Sequence, residues 1–61
     1  MNSYERTQVK IAALEKEIST ELDALEAAYR SSSPLWEVQE IKAFIAHLTK
    51  WLFSAKRSIG Q

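Results

Sequence analysis

His47 is the only histidine in the chain, and there is no cysteine. Catalysis by acid, base or nucleophile needs such groups placed beside one another. At helical spacing His47 has Lys50 and Trp51 for neighbours, and no carboxylate that would orient it as a base. Glu40 stands seven residues before it, so the Glu-x-x-His spacing of carboxylate metal sites is absent. One imidazole without thiolates makes no zinc site. Ser31, Ser32 and Ser33 supply hydroxyls but no nucleophile elbow, and the single glycine, Gly60, leaves no phosphate-cradling loop. His47 therefore reads as a surface histidine. Neither catalysis nor a cofactor is expected.

The remaining chemically capable residues are aromatic and cationic. Phe53 stands among Lys50, Lys56 and Arg57 at helical spacing. A ring flanked by cations is a platform for stacking a base and holding phosphate, and equally a subunit contact. Trp36, near Glu40, either packs over a turn against Tyr29 or serves as a binding anchor. Lys50, Phe53, Lys56, Arg57 and Trp36 are the candidate residues for binding a partner or ligand.

Two helices are expected to position them. Residues 4–30 hold no Gly or Pro and are rich in Ala, Glu, Leu and Lys, all good helix formers. Asn2 or Ser3 caps the start, with Glu5 at capping-box distance from Asn2. Ile11, Leu14, Ile18, Leu22, Leu25 and Tyr29 follow spacings of three, four, four, three and four. That is one apolar stripe, with an eleven-residue repeat nearer to a straight helix than to a heptad. In the second helix Val38, Ile45, Leu52 and Ile59 are seven apart, with Ile41, Leu48 and Ala55 three residues after the first three. This is an a/d seam. Gly60 ends the pattern.

The stretch "RSSSPLWEV" lies between the two patterns. Ser33 suits the N-cap and Pro34 the first helical position, where its missing N–H costs nothing. Pro34 also drives Ser33 out of helical geometry. The expected fold is all-α: helices over about 3–30 and 34–59, each roughly 26 residues or about 39 Å long. A short loop between matched helices favours an antiparallel hairpin; the rival is one long kinked helix or two splayed ones.

At 61 residues the chain is one small domain, 1–61, that buries little surface alone. Without disulfides or metal, good helix packing or a partner subunit must stabilise it. Phe44 and Trp51 widen the apolar arc of the second helix beyond what a single neighbour needs. The expected outcome is a homo-oligomeric bundle of four or more helices. Its interface would draw on Ile11, Leu14, Ile18, Leu22, Leu25, Val38, Ile41, Phe44, Ile45, Leu48, Trp51, Leu52 and Ile59.

Net charge is zero, eight against eight, which argues against coating nucleic acid by charge. Folding back gathers Glu21, Asp23, Glu26, Glu37 and Glu40 at the turn, relieved mainly by Arg30. Arg6, Lys10, Lys50, Lys56 and Arg57 gather at the open end, against Glu5. Two antiparallel hairpins would match opposite ends. No signal peptide or membrane span is visible, so a cytoplasmic protein is expected.

The expected function is binding. One form is a small regulator that modulates or inhibits a larger protein; its build is similar to that of phage-encoded inhibitors and plasmid copy-control hairpins, a likeness of architecture only. Another is a sponge for a small anionic ligand such as a nucleotide signal. The spacing in "AFIAHLTKWLFSAKRSI" is distantly similar to the last helix of phage proteins that sequester cyclic nucleotides, over less than a third of the chain and with no diagnostic motif. A third form is a structural or assembly component.

Overall fold

The structure, a computed structural model, describes residues 2–60. It holds two helices, α1 (Ser3–Arg30) and α2 (Leu35–Ser58), packed against each other as a hairpin. Met1 and Gln61, which belong to the expected domain 1–61, lie outside the described residues.

Asn2 is the N-cap of α1. Its backbone is extended, and its Oδ1 accepts the Glu5 N–H at 2.8 Å. At the other end the chain turns by a Schellman arrangement. The Ser33 N–H donates to the Ala28 carbonyl at 2.9 Å, and the Ser32 N–H to that of Tyr29 at 3.3 Å. Ser32 sits between them at φ 56°, in the left-handed region that glycine usually fills. The serines therefore close the first helix, and Ser33 does not cap the second. Pro34 takes that place, with an extended backbone, and its carbonyl accepts from Glu37 and Val38. So α2 begins at Leu35, one residue later than expected, because a residue with ψ 150° cannot be the first helical one. It ends at Ser58, and Gly60 follows at φ 79°.

Ile11, Ala28, Val38, Leu48 and Ala55 are buried between the helices. Leu14, Ile18, Leu25, Ile41, Ile45, Leu52 and Ile59 are half-buried. On α2 this is the expected a/d seam. On α1 the inward residues include Thr7, Ile11, Leu14, Ile18, Glu21, Leu25 and Ala28, which alternate by four and three, with Gln8 and Ala24 half-buried at the borders of this stripe. That is a heptad, and it corrects the eleven-residue reading. Leu22 is 50% and Tyr29 55% exposed. The reason lies in α2: a partner seam that repeats every seven residues stays in contact only with a face of the same period. Half-buried Glu21 and buried Ala28 therefore take the places expected for Leu22 and Tyr29.

The rod measures 45 × 15 × 14 Å and exposes 4649 Å². A compact monomer of its mass exposes about 4,000 Å². Among the described residues, no helix is long and apolar enough to cross a membrane.

Candidate interaction surface

A two-helix layer has two broad faces, one on each side of the seam. Two cross-helix contacts identify the first. The Lys56 ammonium lies 3.7 Å from a Glu15 carboxylate oxygen, and the Lys42 ammonium sits 5.7 Å above the Tyr29 ring. Glu15, Leu22 and Tyr29 are seven apart on α1, as are Lys42, Thr49 and Lys56 on α2. These rows run side by side. On this paired face the charges between the helices meet across the seam.

The opposite face carries Phe44 and Trp51, 39% and 51% exposed, seven apart on α2. The His47 ring lies against Trp51, with centroids 6.3 Å apart. On α1 the same side presents Lys10, Glu17 and Ala24, with Arg6, Ala13, Thr20 and Ala27 one step further out. A shallow hollow near the open end, lined by Thr7, Lys10, Trp51, Ser54, Ala55 and Ser58, confirms that Lys10 and Trp51 share this side. The aromatic face therefore sets large side chains on α2 beside Ala13, Thr20, Ala24 and Ala27 on α1, with Glu17 among them. Arg6 and Lys10 stand at its open end, Glu37 and Glu40 at its turn end.

The candidate binding residues divide. Lys50, Phe53 and Arg57 line one open hollow on the outer edge of α2, with Ala46, Thr49 and Ser54. Phe53 is 63% exposed. Lys56 leaves this group, because its side chain reaches across the seam to Glu15. Trp36 shares the outer edge with Lys50 and Arg57 but lies 17 residues before Phe53, about 26 Å away along the helix. It stays 65% exposed, and the Tyr29 ring has Lys42 over it. Phe53 thus keeps two of its three expected cations, and Trp36 belongs to a separate place.

Among the expected interface residues, Ile11, Leu14, Ile18, Leu25, Val38, Ile41, Ile45, Leu48, Leu52 and Ile59 are turned into the seam of their own hairpin. Leu22, Phe44 and Trp51 remain exposed, Leu22 on the paired face and the aromatics on the other. The acidic turn and basic open end form as expected. Within the turn end, Arg30 donates to Glu26 one helical turn before it. Ala13, Thr20, Ala24 and Ala27 were missed as surface-forming residues. A seven-residue period applied to α1 would have placed them.

No family model, curated protein or solved structure matches this chain.

Proposed function

We propose that the chain is a small non-enzymatic interaction protein, a self-associating helical hairpin of the cytoplasm that binds and modulates a larger protein. The observation that carries this reading is the imbalance between seam and surface. Among the described residues five are buried, all apolar, while nine large apolar side chains are 39–69% exposed. Exposed apolar surface in this proportion on a small protein marks interaction sites. With one broad face given to self-association, the outer edge and turn end, with Phe53, Trp36 and Leu35, are left to the partner.

A second reading draws on one specific grouping. Phe53 lies between Lys50 and Arg57 over a common hollow, an arrangement suited to stacking a base while pairing with a phosphate. In that reading the hairpin sequesters a small anionic ligand such as a nucleotide.

Native mass spectrometry of the protein purified gently from its natural cells separates the two. A homo-oligomer carrying a stoichiometric larger protein supports modulation, and Phe53→Ala or Trp36→Ala should release that protein. A homo-oligomer with a few hundred extra daltons, lost in Phe53→Ala and Arg57→Glu, supports sequestration. A bare monomer at micromolar concentration overturns both.

A further inference from the structure

We infer that a second copy of this chain covers the aromatic face, as a two-fold pair with the rods antiparallel. This rests on the self-association proposed above and adds the face, the symmetry and the orientation. Three features of the face carry it.

The first is area. The rod is 45 Å long, and two helices side by side, each about 10 Å wide, give a face of roughly 900 Å². Two such faces bury about 1,800 Å², within the range of about 1,200–2,000 Å² that stable pairs bury.

The second is composition. Phe44 and Trp51 occupy the middle of the α2 half, where anchoring aromatics of an interface belong. Ala13, Thr20, Ala24 and Ala27 on the α1 half hold no bulk that would keep a second rod away.

The third is charge. Arg6 and Lys10 stand at one end of this face, and Glu37 and Glu40 at the other. Among the described residues, none of the four takes part in an ion pair. A two-fold axis crossing the rod between Phe44 and Trp51 lays α2 on α2 and α1 on α1, so that Arg6 and Lys10 of one copy lie at the same end as Glu37 and Glu40 of the other, diagonally across the interface. An axis along the rod would bring like charges together, which is disfavoured. The antiparallel pair also sets Glu17, exposed near the middle of α1, close to the Glu17 of the other copy. That repulsion is a signature of this arrangement.

Sedimentation equilibrium with far-UV circular dichroism tests the pairing. Wild type should run at twice the 7.0 kDa chain mass. Trp51→Glu should give a monomer that keeps its helicity, and Leu22→Glu, on the paired face, should leave the dimer intact. Ala13→Arg, at an exposed helical position, repeats the test if Trp51→Glu does not fold. Lys10→Glu should raise the dissociation constant several-fold, because the open end of α1 then repels the acidic end of the other copy and the two-fold axis counts the change twice, and Glu17→Gln should lower it. A wild-type monomer overturns self-association altogether. A dimer that Leu22→Glu dissociates and Trp51→Glu does not would overturn only the choice of face. Tightening by Lys10→Glu would overturn only the orientation. A trimer would overturn the two-fold axis.

Discussion

The two broad faces of this hairpin are made by the same two helices, yet they are finished differently. On the paired face the positions beside the seam hold Glu15, Lys42 and Lys56, and the hairpin meets its own charges there. On the aromatic face the positions beside the seam of α2 hold Phe44 and Trp51, and the charges have moved to the two ends. Exposure alone would not separate them, since Leu22 is 50% and Trp51 51% exposed. The neighbours do. Leu22 is bordered by residues that pair across the seam, whereas the ring lying against Trp51 is that of His47, on its own helix. The paired face meets its own charges within the chain, whereas among the described residues no ion pair lies on the aromatic face.

The severest way to break the comparison is to remove the seam that both faces stand on. Leu48 is 3% exposed. Leu48→Glu buries an unpaired charge there, at a cost of about 3–5 kcal/mol. That is comparable with the whole stability of a domain this size, about 0.05–0.15 kcal/mol per residue. Circular dichroism should show the helices lost; a soluble, fully helical monomer would contradict the seam.

Glu21 tests the same seam in the opposite sense. It is half-buried at a heptad position that otherwise holds apolar or small residues. Glu21→Leu should stabilise by about 1–2 kcal/mol and raise Tm by about 4–16 °C. No gain in thermal melting would mean that the α1 period is not seven at this point.

The turn that holds the faces in register carries a smaller term. Ser32 adopts φ 56° where glycine has no steric penalty. Ser32→Gly should add about 0.5–1 kcal/mol in urea unfolding without changing the oligomeric state.

The smallest effect belongs to the paired face. Lys56 and Glu15 are 3.7 Å apart, with Glu15 exposed and Lys56 half-buried. Lys56→Gln should cost no more than about 0.5 kcal/mol, and less in high salt. A loss above 1 kcal/mol would show that this face does more than satisfy its own charges.

The candidate site was legible in part. Lys50, Phe53 and Arg57 are three and four residues apart on one helix, so their hollow needs nothing beyond α2 itself. Lys56 could not be placed the same way, because its position depends on where Glu15 arrives from α1. Tyr29 met Lys42 rather than Trp36 for the same reason.

What the chain determines locally was visible without any fold. Helix formers, a cap at Asn2 or Ser3, the serine and proline break and Gly60 act over a few residues, through backbone hydrogen bonds and allowed dihedrals. The a/d seam of α2 was equally plain, since its apolar residues repeat by sevens. The seam of α1 was not. Leu22 and Ala28 compete with Glu21 and Tyr29 for the inward positions, and hydrophobicity alone favours Leu22 and Tyr29. The packing of α1 on α2 decided between them, because two helices stay in contact along 45 Å only when their seams share a period. That choice turned Leu22 and Tyr29 outward, paired Lys56 with Glu15, and set that pair on the face opposite Phe44 and Trp51.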